Sequence, residues 1–280
     1  MDGDGARGLA SATMSVMICF VARTGVVLGT DSRVTTRFAE GETREDAYPK
    51  LVQFGSLPVA LGMVGVGAYG GLDFRALVAE THRRFCRAQG AAEAAAGGET
   101  VEAVARMFAE TAGGLARDAG ASAEMDVLVA GYSPGGAFGE LFEVRLPTGE
   151  VTSQTRTSPT FVWRGQTEAV KTLWWGANLG ALQASLDEAG VAPETARAVA
   201  DGVKRRVAWG PERTNWGMPL SSAVDLVRFQ LELQIAYERF MPGRGTCGPP
   251  TQIVAINDAG LRWMDNPFEA FSQVARTPSR

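Results

Sequence analysis

The stretch of residues 14–33 limits the possible folds of this chain most strongly, because it predicts a tight β-hairpin. Branched and apolar residues fill two arms, and Arg23-Thr24-Gly25 between them supplies the turn. Antiparallel strands bring their outer ends side by side, so Ser15 at one end is expected to meet Asp31 at the other. We therefore expect the function to lie where this hydroxyl and this carboxylate come together.

The composition is that of ordinary globular material and argues against several classes of function. A net charge of −4 over 280 residues provides no basic surface for nucleic acid or for an anionic membrane. No apolar run approaches the roughly 18 residues that a membrane helix needs. Because the first thirteen residues lack the basic and apolar regions of a secretory signal, a cytoplasmic location is expected.

Histidine and cysteine are too scarce for many kinds of catalytic or metal site. His82 is the single histidine, and its neighbours predict the solvated face of a helix. The three cysteines, Cys19, Cys86 and Cys247, are too widely spaced for a disulfide framework or a metal cluster. Cys19 and Cys247 lie in apolar segments and are expected to be inert. No metal or cofactor is predicted, and a hydrolytic serine would need a general base other than histidine.

Lysine is unusually rare in this chain. Only Lys50, Lys171 and Lys204 occur, and the other twenty-four basic residues are arginines. A buried lysine can be tuned as a proton handler, whereas an arginine stays charged. Lys50 is the lysine near the opening hairpin in sequence, which makes it a candidate site residue.

The order of predicted elements is strands, two helices, strands, two or three helices, and strands. A parallel doubly wound sheet would need a strict alternation of strands and helices, which this order lacks. We therefore predict an α+β protein, a four-layer αββα sandwich of two mainly antiparallel sheets flanked by helices. Residues 15–280 are predicted to form this single domain. Residues 1–14 are predicted to be a disordered extension, a propeptide or a misassigned start.

Several local predictions can be compared with a structure. A polar loop is expected from the hairpin through Asp46, then a second hairpin around Gly55-Ser56. A linker inside the domain is expected over residues 90–99, which are rich in alanine, glycine and glutamate. Helices are expected over residues 72–88, 100–119, 167–189, 193–206 and 221–240, and from 267 on. Further strands are expected over residues 125–132, 139–146, 151–155, 161–164, 251–256 and 261–264.

Four motifs follow one another along the chain in the order of a known family. They are Gly25-Val26-Val27-Leu28-Gly29-Thr30-Asp31-Ser32-Arg33, Lys50-Leu51, Gly62-Met63-Val64-Gly65-Val66-Gly67, and Thr246-Cys247-Gly248-Pro249-Pro250 before an apolar strand. Together they resemble the proteasome β-subunit group of the N-terminal nucleophile (Ntn) hydrolases, including its bacterial HslV and Anbu branches. The resemblance spans nearly all of residues 15–264.

This resemblance implies a role for each of four residues. Ser15 takes the nucleophile position, Asp31 that of the strand-end acid and Lys50 that of the buried lysine. Gly65 takes the position whose backbone N–H forms the oxyanion hole. Thr13 is the competing nucleophile, but it stands two residues out of register with Asp31.

The chain also departs from the family pattern at two places. Gln166 follows Gly165 where the family has a serine, and Arg244 and Cys247 replace an Asp-x-x-Ser pair. Those family residues tune the terminal amine, so tuning must be different or weaker in this chain.

The chemistry of Ser15 explains why its α-amino group matters. A serine hydroxyl is a poor nucleophile until a base removes its proton. In the absence of a suitable histidine, the α-amine of Ser15 itself is the nearest base, with an ordinary pKa of about 7.7–8.0. This base exists only if Ser15 is the mature N-terminus, after removal of Met14 or cleavage of a propeptide.

The resemblance implies a proteasome-type peptidase or amidase that acts on peptide or protein substrates through an acyl-enzyme. It also implies self-assembly into a ring or an open helical oligomer, with an ATPase or adaptor as a possible partner. Two alternatives stay open: a catalytically silent structural subunit, and a peptide ligase that passes the acyl group to an amine.

Two other signals are given a structural interpretation. Gly65-Val66-Gly67-Ala68-Tyr69-Gly70 matches the dinucleotide fingerprint G-x-G-x-x-G, but a helix follows where the pattern needs a strand ending in an acid. Trp174-Trp175 with Trp209 and Trp216 could form a ligand platform, although such aromatics more often fill a core or a subunit contact.

Overall fold

A computed structural model describes residues 15–38, 41–46, 48–69, 71–90, 100–120, 122–207, 214–242 and 245–268. The predicted extension 1–14, with Thr13 and Met14, lies outside the described residues, as do Arg244, Gly70 and Trp209. The predicted linker lies outside them from residue 91 on, and the predicted tail helix from residue 269 on.

Strands and helices alternate in blocks along the chain. The strands are β1 (Val16–Ala22), β2 (Gly25–Thr30), β3 (Val34–Phe38), β4 (Gly41–Glu45), β5 (Leu51–Gln53), β6 (Val59–Gly65), β7 (Ala68–Tyr69), β8 (Leu72–Asp73), β9 (Met125–Gly131), β10 (Glu140–Leu146), β11 (Glu150–Thr155), β12 (Thr160–Gly165), β13 (Gln252–Asn257) and β14 (Gly260–Asp265). The helices are α1 (Phe74–Gly90), α2 (Thr100–Asp118), α3 (Glu168–Trp175), α4 (Leu179–Glu188), α5 (Pro193–Val207) and α6 (Leu220–Phe240).

Two five-stranded antiparallel sheets form the centre of the fold. The first sheet has the order β12-β1-β2-β13-β14 and the second has the order β11-β10-β9-β6-β5. Helices α1 and α2 pack on the outer face of the second sheet, and α3 and α6 on the outer face of the first. The predicted αββα sandwich is therefore confirmed.

Strand β1 shows why its sequence is apolar at every position. Met17, Cys19 and Val21 face the second sheet, whereas Ile18 and Phe20 face the helices on the other side. A strand buried on both faces needs a continuous apolar run instead of an alternating one. The predicted opening hairpin is present, with Ala22 opposite Gly25.

Two local predictions were wrong. The polar loop expected through Asp46 contains a hairpin of β3 and β4, because β-branched Val34 and the threonines that follow favour extended backbone. The single helix expected over residues 167–189 is split into α3 and α4. Gly176 ends α3 in a left-handed conformation with φ 71°, and the Asn178 side chain accepts a hydrogen bond from Ala181 N at the start of α4.

Two aromatic environments are informative. Trp174 is buried and stacks on Phe161 at 4.9 Å between ring centroids, as expected for a core residue. His82, which was expected on the solvated face of a helix, is half-buried, and its ring centroid lies 5.1 Å from that of Phe54 in an edge-on arrangement. Burial lowers the pKa of His82.

Among the described residues no helix is both long and apolar enough to cross a membrane.

Truncating a side chain between the sheets should destabilise the fold much more than truncating an exposed one. Leu28 is fully buried there, and Leu173 on α3 is 40% exposed. We expect Leu28→Ala to lower the free energy of unfolding by about 2–5 kcal/mol and Leu173→Ala by less than about 1 kcal/mol. Urea unfolding of both variants measures the difference, and equal losses would contradict the layer assignment.

Candidate active site

Three side chains from separate parts of the chain meet where β1 and β2 end. Lys50 Nζ lies 2.7 Å from Ser15 Oγ and 2.8 Å from Asp31 Oδ1. All three residues are at least 98% buried. The lysine therefore lies between the hydroxyl and the carboxylate. Three of the residues that the sequence analysis named as site residues are thus in contact with one another through Lys50.

The sheet topology explains why the three residues converge. Ser15 directly precedes β1 and Asp31 directly follows β2, so the hairpin register brings them together. Lys50 directly precedes β5 in the second sheet and reaches across to the first. Its backbone N–H donates to Gln252 Oε1 at 2.8 Å, which ties the start of β5 to β13.

Asp31 is held by donors on both carboxylate oxygens. Oδ1 accepts from Val16 N at 3.1 Å as well as from Lys50, and Oδ2 accepts from Arg33 N and Gly248 N, each at 3.1 Å. An ionised carboxylate is an acceptor-only group, so four donors suit it. Asp31 thereby fixes the position of the Lys50 ammonium group next to Ser15.

Gly65 is the last residue of β6, and it lies at the end of the second sheet where Lys50 precedes the neighbouring strand β5. Met63 N donates to Lys50 O at 3.0 Å, and backbone groups two residues apart point to the same side of a strand. The Gly65 N–H therefore points past the start of β5. Gly65 also has a purely structural requirement, because its φ is +104° and a Cβ would lie 2.4 Å from Glu124 O.

Gly165 and Gln166 hold the backbone of Ser15. Gln166 N donates to Ser15 O at 2.7 Å. A Cβ on Gly165, whose φ is +80°, would lie 2.0 Å from the same carbonyl oxygen. Only glycine fits at this approach, so the Gly-Gln pair positions Ser15 through its main chain.

Arg33 lies at the end of the opening hairpin, and its backbone N–H donates to Asp31. Its guanidinium pairs with Asp46 and donates to the carbonyl oxygens of Gly245 and Cys247 at 3.1 and 3.2 Å. Arg33 therefore ties residues 245–248, which we name the Gly248 loop, to the end of the hairpin.

The thiol of Cys247 is buried and hydrogen-bonded. Cys247 is 2% exposed and its Sγ donates to Glu238 Oε1 at 3.2 Å. Burial raises the pKa of this thiol, and the nearby charges of Asp31 and Glu238 raise it further. Both effects favour the protonated thiol, and the inertness of Cys247 stays a prediction.

Sequence reasoning assigned no role to three residues that support the site: Gln252, Gly248 and Glu238. Gln252 was detectable in principle, because it is a polar residue at the start of an apolar strand and is fully buried. Gly248 belonged to one of the family motifs but received no role, because it acts through its backbone N–H, and Glu238 on α6 had no signal in the sequence.

A cavity of about 410 Å³ opens beside Gly165 and Gln166. Thr167, Glu168, Lys171 and Trp175 are among the residues that line it. In the part of the chain that the structure describes, no group of three or more His, Cys, Asp or Glu side chains is placed to hold a metal ion.

Breaking the buried ion pair should destabilise the protein strongly. In Asp31→Asn the Lys50 charge stays buried without its partner, and we expect a loss of about 3–5 kcal/mol in the free energy of unfolding. Asp201→Asn is the matched control, because it breaks an exposed Lys204–Asp201 pair and should cost less than about 1 kcal/mol. Denaturant unfolding at neutral pH measures the free energy of unfolding of both variants. Similar losses would show that Asp31→Asn does not leave an unpaired Lys50 charge in the interior.

Glu238 should make stability depend on acidity. Burial alone would raise its pKa, but hydrogen bonds from Thr246 and Cys247 outweigh burial and lower the pKa below its ordinary value. A lowered carboxylate pKa stabilises the folded state above about pH 4.3, and this contribution is lost as the pH falls through the folded pKa. The stability difference between wild type and Glu238→Gln should therefore shrink on acidification, as thermal unfolding across that range can measure.

Comparisons with known proteins establish the fold of this chain. No family model and no curated protein sequence matches it. Among solved structures, it is similar to the Anbu (Gly-1) mutant from Hyphomicrobium sp. strain MC1, with 14% identity, coverage of 92% of this chain and 90% of that chain, and a TM-score of 0.54. It is also similar to Anbu (ancestral beta-subunit) from Yersinia bercovieri, with 14% identity, coverage of 91% and 89%, and a TM-score of 0.53.

At this identity the likeness concerns the fold. The two Anbu structures represent a proteasome-like branch of the Ntn hydrolases. The resemblance recognised in the sequence motifs is confirmed at that level, and the chain has the proteasome-like αββα fold of Anbu.

Proposed function

We propose that this protein is a proteasome-type peptidase or amidase that cleaves amide bonds with Ser15 as an N-terminal nucleophile. The observation that carries the proposal is the contact of 2.7 Å between Lys50 Nζ and Ser15 Oγ, with Asp31 on the other side of the lysine. A fully buried lysine aimed at a hydroxyl is a costly arrangement, and activation of a nucleophile accounts for it.

The charge of Lys50 serves two purposes in this scheme. A cation next to Ser15 Oγ stabilises the alkoxide character that develops as the hydroxyl loses its proton. The same cation disfavours a second positive charge on the α-amine of Ser15, which keeps the amine available as a base. A base whose pKa lies near the working pH is efficient in general-base catalysis.

The reaction proceeds in two balanced halves. Ser15 Oγ attacks the substrate carbonyl carbon while its proton passes to the α-amine, and the Gly65 N–H stabilises the oxyanion, an interaction worth roughly 3–4 kcal/mol. The C–N bond then breaks, the leaving amine takes the proton, and an ester links the acyl group to Ser15. Water next attacks this ester and gives one proton to the α-amine. The bond between the acyl carbon and Ser15 Oγ then breaks, the α-ammonium returns the proton to Ser15 Oγ, and the acid leaves.

The scheme requires a free α-amine on Ser15. The bond between Met14 and Ser15 must therefore be hydrolysed, either by removal of an initiator methionine or by self-cleavage of a propeptide. We propose that the substrate enters through the cavity next to Gly165 and Gln166, because this pair holds the Ser15 carbonyl.

We also propose that the protein self-assembles into a ring or an open helical oligomer. The Yersinia bercovieri protein is described as an ancestral beta-subunit, a term that denotes part of an assembly. Phe229 and Phe240, three turns apart on α6, are 49% and 81% exposed and share one helix face. Light scattering coupled to gel filtration would detect the assembly, and an ATPase or adaptor partner stays a prediction.

A peptidyl epoxyketone tests the nucleophile directly, because this electrophile bonds to both the hydroxyl and the α-amine of one N-terminal residue. We expect intact-mass analysis of the purified full chain to show loss of residues 1–14, and the label to attach to Ser15. Ser15→Ala and Lys50→Met should abolish labelling and reduce hydrolysis of fluorogenic peptides by at least about 100-fold. Lys204→Met is the matched lysine control, because Lys204 lies on α5 in an exposed pair with Asp201, and it should keep both.

The same experiment separates the alternatives. A chain that keeps residues 1–14 and takes no label would be a structural subunit, and the enzymatic proposal would fail. A labelled chain that transfers the acyl group to an added amine more readily than to water would be a ligase that uses the same site.

A further inference from the structure

Residue Glu238 on α6 lies outside the set of predicted catalytic groups, yet its carboxylate gathers donors from the Gly248 loop. Oε2 accepts from Thr246 Oγ1 at 2.7 Å and from Cys247 N at 2.9 Å, and also from Thr246 N. Oε1 accepts from Cys247 Sγ at 3.2 Å and from Gln234 Nε2 at 3.3 Å. One side chain thus binds two consecutive residues of the loop through both main chain and side chain.

The Gly248 loop connects Glu238 to the candidate site. Gly248 N donates to Asp31 Oδ2 at 3.1 Å, and Gly248 O accepts from Ser32 N at 3.1 Å. Asp31 in turn holds Lys50. A continuous series of hydrogen bonds therefore leads from Glu238 through the loop and Asp31 to the lysine that contacts Ser15.

The Gly248 loop is held from two sides, by an acceptor side chain on one side and by a donor side chain on the other. Glu238 binds its N–H groups and its thiol, while the Arg33 guanidinium binds the carbonyl oxygens of Gly245 and Cys247. A loop held on both sides cannot shift without breaking charged hydrogen bonds, which are among the strong ones in proteins.

The neighbouring turn of α6 supports the other side of Ser15. Gln234, one turn before Glu238, is 99% buried and accepts from Ala169 N through Oε1 at 3.0 Å. Ala169 lies in the first turn of α3, which follows the Gly165-Gln166 pair that holds Ser15 O. One face of α6 therefore reaches both backbone segments that flank the candidate nucleophile.

We propose that Glu238 is a positioning residue of the Ser15 site, acting through the Gly248 loop on Asp31 and Lys50. This inference rests on the proposed function and adds a residue to it. A displacement of Asp31 by a fraction of an ångström would move the Lys50 ammonium group off the hydroxyl, and misplacement by about 1 Å can reduce a rate by about 100-fold.

Glu238→Gln tests the proposal, because glutamine keeps the shape but supplies only one acceptor oxygen and no charge. We expect kcat per labelled Ser15 to fall about 10- to 100-fold with KM within about twofold of wild type. Glu238→Asp, which keeps the charge on a shorter side chain, should recover part of the rate. Glu232→Gln is the matched control, since Glu232 is an exposed glutamate on the same helix, and it should behave like wild type.

Counting active sites with the label separates positioning from stability. If Glu238→Gln only lowers the fraction of molecules that take the label, while kcat per labelled site stays at the wild-type value, Glu238 is structural and the proposal is overturned.

A second measurement does not depend on catalysis. It therefore tests the anchoring role of Glu238 even if the proposed hydrolase activity is wrong. Hydrogen exchange of the peptide that contains the Gly248 loop, and alkylation of Cys247, should both be at least about tenfold faster in Glu238→Gln than in Glu232→Gln. Wild-type rates in Glu238→Gln would refute the anchoring role whether or not the enzyme is active. A loosened loop in a chain that never labels would support anchoring and count against the hydrolase alone.

Discussion

The buried contact between Lys50 and Asp31 is the interaction on which the rest of this structure depends. A lysine ammonium group with almost no exposure to water requires a carboxylate partner and a rigid frame, because burial of an unpaired charge costs several kcal/mol. The frame comes from both sheets, since Asp31 follows a strand of the first and Lys50 precedes a strand of the second. The ion pair thus joins the sheets at the point where Ser15 leads into β1.

The surroundings of this pair consist mostly of main-chain groups held by distant side chains. The Gly248 N–H donates a hydrogen bond to Asp31, and the Gln166 N–H donates one to the carbonyl oxygen of Ser15. Helix α6 reaches both segments through Gln234 and Glu238. The geometry of this candidate site therefore depends on where the backbone of the neighbouring segments lies.

The fold and the site could be predicted to different extents. The apolar runs of β1 and β2 and the order of strands and helices led to the αββα sandwich, because burial on both faces leaves a clear pattern. The hairpin of β3 and β4 was missed, since polar strands lack that pattern, and the break between α3 and α4 depended on a left-handed conformation at Gly176. The roles of Ser15, Asp31, Lys50 and Gly65 came from a family resemblance and stay predictions.

By itself the sequence determined that this chain has a buried hairpin with a hydroxyl at one end and an acid at the other, and very few lysines to place beside them. Only the tertiary structure decided that the Gly248 N–H donates to Asp31, and that Glu238 holds the loop behind Asp31. The physical reason is that these contacts join residues far apart in sequence, through backbone N–H groups that every non-proline residue carries and that therefore leave no mark in the sequence.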